Sequence, residues 1–241
     1  MISNPNLNPE YIDVVVLCGG LGTRLKKVVS DRPKVMAEVN NKPFLEILID
    51  YIAVFGFRRF VMCVGYMKEK IREHFERRKD VEILFSAEEE LLGTAGAIKN
   101  AEKFIRSNPF LVVNGDSFCR INVKGFLDFH ITKKAYASIA LVLPEKDADY
   151  GVVAIGDDQR ILSFNEKREP DTGGFINAGM YFFNRDILKL IPENITYSLE
   201  YNLFPHIIDK GIYGYVTGEK LIDIGTPERY RKAEEILNKK I

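Results

Sequence analysis

Apolar runs and helical-period stretches alternate through the first half of the chain. Residues 12–17 are a continuous apolar run but for Asp13, as a strand covered on both faces requires. Residues 44–55 carry apolar side chains at helical spacing, with Pro43 suited to the first turn and Gly56 ending it. The pattern then predicts a strand over 60–64, a charged helix over 68–78 with Ile71 and Phe75 on one face, and a strand over 81–85. A glycine-entered helix over 93–105, a strand over 110–113 and a helix over 123–134 follow. Strands alternating with helices predict an α/β fold, a Rossmann-like and mainly parallel sheet with helices on both faces. Ligands of such sheets belong beyond the carboxyl ends of the strands.

From Tyr136 the pattern changes. Residues 137–143, 151–155, 161–165 and 177–183 read as strands with no helix between them, and Asp157-Asp158-Gln159-Arg160 reads as a hairpin turn. Residues 186–191 and 199–210 read as helical, and 212–217 and 221–224 as strands. Thr226-Pro227-Glu228 supplies an N-cap and a proline at the first position of a last helix running to residue 239. No internal repeat, low-complexity linker or domain boundary interrupts the 241 residues.

Candidate chemistry begins where the first strand ends, at Leu17-Cys18-Gly19-Gly20-Leu21-Gly22-Thr23-Arg24-Leu25. The glycines let the backbone turn tightly and approach a ligand, and N–H groups freed in such a turn cradle phosphate oxygens. Arg24 adds a permanent cation with a phosphate-matched fork, and Pro33-Lys34 a second cation on a restrained stretch. Two commoner glycine loops do not fit. A dinucleotide fingerprint needs a third glycine where Leu25 stands, and an acidic residue where Val64 and Gly65 stand. A P-loop needs Gly-Lys-Ser/Thr, against Gly22-Thr23-Arg24. A nucleoside triphosphate held over a strand end is the reading that survives, beside the plainer one of a structural turn.

Composition narrows the field. Lys plus Arg equal Asp plus Glu, 34 against 34, so no basic surplus argues for nucleic acid or an anionic membrane. Cys18, Cys63 and Cys119 are far apart and form no metal spacing; each reads as a small core residue in a reducing compartment. The polar start, residues 1–11, lacks a signal-peptide pattern, and no apolar run approaches a membrane span. The expected location is the cytoplasm. His74, His130 and His206 are scattered and read as structural or surface residues, and no nucleophile–base pair stands out.

The glycine stretch and Pro33-Lys34 resemble the signature of the nucleotide-sugar pyrophosphorylases, or sugar-1-phosphate nucleotidyltransferases, with Cys18 in place of their usual alanine. Val35-Met36-Ala37 and Lys42-Pro43-Phe44-Leu45-Glu46 look most like the branch that handles heptose 1-phosphate with GTP. The resemblance implies a glycosyltransferase-A-like nucleotidyltransferase fold, with a flexible arm over 1–11 and a single domain over 12–241. Within that domain it implies a nucleotide-binding half, 12–135, and a sugar-binding half, 136–241, with a small antiparallel part. It implies catalytic Arg24 and Lys34, and nucleotide contacts from Leu17, Gly19, Gly20, Gly22, Thr23, Gly93 and Thr94. In Glu88-Glu89-Glu90-Leu91-Leu92-Gly93-Thr94-Ala95-Gly96, Glu88 best matches the base-reading position by spacing, although Glu89 or Glu90 stays open. Asp116, in Asn114-Gly115-Asp116, and Asp223, in Ile222-Asp223-Ile224-Gly225-Thr226-Pro227-Glu228, become ligands of Mg²⁺. Taken alone, each would serve equally as a cap of the following turn or helix. Gly151, Glu166, Lys167 and Asn177 match the family's sugar phosphate motifs.

The expected reaction joins a nucleoside triphosphate, GTP favoured, to a sugar 1-phosphate, heptose favoured with a hexose as the main competitor, and releases pyrophosphate, with Mg²⁺ as cofactor; a homodimer is left open. An inactive homologue and a nicotinamide-dependent oxidoreductase are the competing classes. The first is opposed by the intact Arg24, Lys34, Asp116 and Asp223, the second by Leu25 and the missing acidic residue.

Overall fold

The computed structural model describes residues 8–144, 151–165 and 174–237. A 3₁₀ turn, Pro9–Tyr11, leads into β1 (Asp13–Leu17), and a short hairpin of β2 (Glu38–Val39) and β3 (Lys42–Pro43) precedes α1 (Phe44–Val54). There follow β4 (Arg59–Val64), α2 (Lys68–Phe75), β5 (Glu82–Ala87), α3 (Gly93–Asn100), β6 (Phe110–Asn114), β7 (Ser117–Cys119) and α4 (Val123–Thr132). The second half holds β8 (Ala137–Val142), β9 (Val152–Ile155), β10 (Ile161–Asn165) and β11 (Phe175–Phe183). It ends with α5 (Phe204–Ile207), β12 (Ile212–Thr217), β13 (Leu221–Asp223) and α6 (Pro227–Leu237).

A nine-stranded sheet forms the centre. Its spine runs β5-β4-β1-β6-β11-β8-β12, and β9-β10 attach at the start of β11. The strands of the first half are parallel, as alternation with helices demands. β11 enters antiparallel to both β6 and β8, while β12 pairs parallel to β8. Among the described residues the second-half strands pair antiparallel, as the helix-free run of strand patterns suggests, with β12 against β8 the one parallel pairing.

Alternation along the strands sorts the core into two layers. Val14, Val16, Phe60, Met62, Leu111 and Val113 face α1, α2, α4 and α6. Val15, Val61, Cys63, Phe110 and Val112 face α3 and α5 on the other side. Fully burying such side chains stabilises by about 1.5–3 kcal/mol each.

Three helical stretches differ from the sequence pattern for local reasons. The stretch after α3 tightens because Ala101 N–H is shared by the Ala97 and Ile98 carbonyls, and a 3₁₀ turn, Glu102–Phe104, follows. Residues 185–190 form a 3₁₀ helix. The stretch over 199–210 is a composite of a π-turn (Leu199–Leu203), α5 and a 3₁₀ turn (Ile208–Lys210), because Pro205 has no N–H to continue an α-ladder into the preceding turn. The last helix starts as its cap predicts, with Thr226 Oγ1 accepting from Arg229 N at 3.3 Å; its end lies outside the described residues.

The single buried histidine gives a stability test. His130 of α4 is 3% exposed, bonded at 2.8 Å to Ser138 Oγ, and burial lowers its pKa from 6.5 to about 4. Between these values the unfolded chain binds the proton and the folded one does not. Stability should therefore fall as pH drops from 6.5 toward 4, by on the order of 3 kcal/mol in full. Denaturant unfolding at pH 7 and pH 5 should show this slope in the wild type and its loss in His130→Gln.

Candidate active site

The carboxyl ends of β4, β1 and β6 meet at one edge of the sheet, and the glycine loop leaves from the middle one. Cys18 N donates to Cys63 O and Gly115 N to Leu17 O, so the loops after β1 and β6 are stitched to neighbouring strands. Gly19 is buried: a Cβ there would collide with the Glu88 carboxylate and stand 3.1 Å from Gly65 N. Gly20 is open to solvent with nothing near its missing side chain. Gly22 takes φ +58°, and a Cβ would press on the Lys34 stem at 2.8 Å. Thr23 and Arg24 are exposed beyond it. The loop is thus folded back on Lys34, with its outer backbone free for a ligand.

Two distant carboxylates arrive here by strand pairing. β13 runs antiparallel to β7 with Asp223 opposite Ser117, and Ile224 N donates to Asp116 O at 3.1 Å. This ladder sets Asp223 beside Asp116. The short strand β7 that makes it was absent from the sequence pattern, being three residues long. A 3₁₀ turn, Lys34–Met36, presents the Lys34 ammonium, which is ion-paired to Asp116 Oδ2. Arg229, in the first turn of α6, stands 3.5 Å from both Asp223 carboxylate oxygens. The Arg24 guanidinium lies near Gly225, 3.6 Å from where a Cβ would be. Among the described residues no group of three His, Cys, Asp or Glu is arranged for a metal. Two carboxylates suit a hard cation that completes its shell with phosphate oxygens and water, the habit of Mg²⁺.

Beyond β4 and β5 the three glutamates separate. Glu88 is half-buried against Gly19 and Gly65 and accepts from Leu92 N at 3.2 Å; burial pushes its pKa up. Glu89 is exposed and ion-paired to Lys68 at 2.8 Å, and Glu90 is exposed. Gly93 and Thr94 are tied to the segment around residues 197–200. Gly93, at φ +71°, packs on the Tyr197 backbone. Thr94 Oγ1 donates to Glu200 Oε2 at 3.1 Å and accepts from Leu199 N at 2.8 Å.

On the far side, Gly151 precedes Val152, which pairs with Ile176, so the next register position sets Gly151 across from Asn177. The Asn177 amide is engaged internally, donating to Tyr181 Oη and accepting from Gly179 N, both at 2.9 Å. This closes a bulge in β11 in which Gly179 takes φ +72° against Asn114. Glu166 and Lys167 lie outside the described residues. The three cysteines are buried free thiols whose pKa values are raised by burial, as small core residues should be. Sequence reasoning missed Arg229 and the Asn177–Tyr181 link. For Arg229 the signal was its place three residues after the Thr226 cap, on the turn that folds back toward Asp223.

Among the described residues at this edge no nucleophile–base pair is assembled, and most of what is there can hold phosphate or a cation that bridges phosphates. That is the mark of a nucleotidyltransferase. Residues 13–240 match the family model described as Nucleotidyl transferase, and the chain belongs to that family. It is 35% identical over 228 residues to the D-glycero-alpha-D-manno-heptose 1-phosphate guanylyltransferase of Aneurinibacillus thermoaerophilus, covering 94% of this chain and 98% of that one. The Campylobacter jejuni protein of the same name is 36% identical over 222 residues, 91% and 97% of the two chains. The crystal structure of HddC from Yersinia pseudotuberculosis complexed with GMP-PN superposes with a TM-score of 0.81 at 36% identity, covering 94% of this chain and 99% of that one.

The crowding at Gly19 yields a direct test. Gly19→Ala must displace either Glu88 or the Gly65 backbone. The variant should fold, with a loss of roughly 1–3 kcal/mol from overpacking, and should lose nucleotide affinity at least tenfold. Calorimetric titration with a non-hydrolysable GTP analogue measures this; unchanged affinity would mean that the loop face at Gly19 is not the nucleotide face.

Proposed function

We propose that the enzyme transfers a guanylyl group from GTP to D-glycero-alpha-D-manno-heptose 1-phosphate, giving GDP-heptose and pyrophosphate. One observation carries the choice of base: the Glu88 carboxylate, half-buried under the glycine loop. Guanine offers two adjacent donors, N1–H and the N2 amine, and a carboxylate has two acceptor oxygens to take both. Uracil and thymine offer one donor flanked by carbonyls. The relatives named above, matched along nearly their whole length, support both GTP and the heptose. Mannose 1-phosphate is the second reading, because the Mycobacterium tuberculosis mannose-1-phosphate guanylyltransferase is 33% identical; the chain covers 63% of that protein.

In this reading the triphosphate lies along Gly19, Gly20, Gly22 and Thr23, with Leu17 beneath and Gly93-Thr94 bounding the base side. An oxygen of the sugar phosphate attacks the α-phosphorus in line; the bond to the bridging oxygen breaks and pyrophosphate leaves. The attacking oxygen is already anionic, so no base is needed. The protein's work is positioning, which can lower a barrier by roughly 7–11 kcal/mol. Arg24 and Lys34 hold and neutralise the phosphates, and Asp116 and Asp223 hold Mg²⁺, which supplies Lewis-acid stabilisation of the charge on the α-phosphate and the leaving group. Gly151 and Asn177, with Glu166 and Lys167, form the sugar phosphate side. The product is a precursor for cell-surface polysaccharide, made in the cytoplasm. Three buried free thiols support that location, and no helix among the described residues is long and apolar enough to cross a membrane.

Turnover of GTP, UTP, dTTP and CTP against heptose, mannose and glucose 1-phosphates tests the reading, with GTP and heptose expected to dominate. Glu88→Gln should cost GTP about 1–3 kcal/mol in kcat/KM, since one acceptor becomes a donor. Burial raises the Glu88 pKa. Guanine affinity should therefore fall on acidification above the usual carboxylate range, and the variant should lack that limb. A wild type that prefers UTP, or a variant with full GTP selectivity, would remove Glu88 from base recognition.

Asp223→Asn keeps the shape and removes a charge. Turnover should fall at least a hundredfold, with the melting temperature nearly unchanged. Near-normal turnover at saturating Mg²⁺ would leave Asp223 as no more than a cap of α6.

A further inference from the structure

The loop that carries Glu88 is held from a segment a hundred residues away. Leu92 is the joint. Its N–H donates to the Glu88 carboxylate at 3.2 Å, and its carbonyl accepts from Tyr197 N at 2.8 Å. Tyr197 O in turn accepts from Ala95 N and Gly96 N, at 2.9 and 3.0 Å, so two N–H groups in the first turn of α3 are taken by backbone. This close approach depends on Gly93, where a Cβ would stand 2.8 Å from that same oxygen.

Glu200, half-buried, fastens the joint. Its Oε2 accepts from Thr94 Oγ1 at 3.1 Å and from Ser198 Oγ at 2.8 Å. Thr94 Oγ1 accepts in turn from Leu199 N at 2.8 Å, and Ser198 Oγ from Glu200 N at 3.1 Å. Each hydroxyl thus gives its one proton to the carboxylate and a lone pair to a backbone N–H. An acceptor-only group fixes both hydroxyls in that sense.

We propose that Glu200 is a positioning residue for base selection. Through Thr94 and the Tyr197–Leu92 pairing it holds the 88–96 loop, and with it the direction in which the Glu88 carboxylate meets the base. The inference rests on the base-reading role proposed for Glu88. Its physical ground is geometric. Taking two donors at once needs both carboxylate oxygens aligned with the base edge, because hydrogen bonds weaken steeply with angle. The Leu92 N–H anchors Glu88, and Tyr197 places Leu92. Tyr197 is itself held on both sides, by Thr196 Oγ1 donating to Leu91 O and by Ser198 Oγ donating to Glu200.

The experiment compares Glu200→Ala with Glu200→Gln, whose amide oxygen can still accept from both hydroxyls. Thermal melts check that both are folded. In the nucleotide-free protein, the amides of Leu92, Ala95 and Gly96 should exchange with solvent about tenfold faster in Glu200→Ala. The preference for GTP over UTP in kcat/KM should fall about three- to tenfold, the loss of roughly one hydrogen bond. The fall should lie in KM for GTP, with KM for the sugar 1-phosphate within about twofold of the wild type. Glu200→Gln should resemble the wild type in exchange and in selectivity. In a Glu88→Gln background Glu200→Ala should lower the preference no further, since both act at one contact. Should Glu200→Ala prove too unstable to assay, Thr94→Val breaks the same link from the other side and should give the same loss of selectivity. Unchanged selectivity in Glu200→Ala overturns the inference, as does an equal loss in the Glu88→Gln background, or Glu200→Gln behaving like Glu200→Ala. If Glu88→Gln alone keeps full GTP selectivity, it is the base-reading role that fails, and this inference falls with it.

Discussion

Two carboxylates, one from the middle of the chain and one from near its end, are brought to one place, and a ladder of three residue pairs holds them there. The β7–β13 pairing gains little from its length; its anchorage comes from both flanks. β7 follows directly from β6, a central strand with its side chains buried on both faces. β13 leads into α6, which buries Ala233 and Leu237 against the core and hydrogen-bonds through Tyr230 Oη to the Glu38 carbonyl. Each carboxylate then meets a cation, which offsets the repulsion that two like charges would otherwise suffer. Without that ladder the glycine loop would have one carboxylate, Asp116, near it through Lys34.

The same economy shapes the other side of the loop. Glu88 is partly removed from water at the end of β5, and burying a carboxylate is costly unless something compensates. Here one backbone N–H, from Leu92, does part of this. In the proposed function a base with two donors supplies the rest. The absence of a side chain at Gly19 makes the space in which this carboxylate sits. A residue chosen for what it lacks and a residue chosen for what it carries thus define one contact. On the proposed sugar phosphate side, the bulge of β11 ties Asn177 to Tyr181 and packs Gly179 against Asn114, at the strand end before the first aspartate.

The fold was legible because its strands and helices are long enough for their periods to show. Apolar runs such as 12–17 and the helical spacing of 44–55 state a buried parallel sheet in terms of burial alone. The glycine loop and Asp116 were legible because each lies just past a strand end, and Lys34 and Asp223 because they stand in stretches that resemble the family's motifs. What the sequence hides is whatever depends on pairing at a distance. Three-residue β7 has no readable period, and its register with β13 is fixed by tertiary packing. The direction of β12 depends on where the chain crosses, which no local pattern records. Thr94 carries the right residue type at the right spacing, yet its hydroxyl is engaged by Glu200 and Leu199, which arrive from a hundred residues away. The choice among Glu88, Glu89 and Glu90 is one of exposure, and that too is invisible in a run of identical side chains.

The ladder also sets a timetable. Asp116 and Asp223 are separated by 107 positions (223 − 116) along the chain. At synthesis rates of roughly 5–20 residues per second they leave the ribosome on the order of ten seconds apart. In that interval the glycine loop, β4, β5 and β6 can already have formed their parallel sheet, with Asp116 held by Lys34 alone. The acidic pair is completed only when β13 has emerged, so in the proposed reading a nascent chain can offer nucleotide a cradle before it can offer a metal a home.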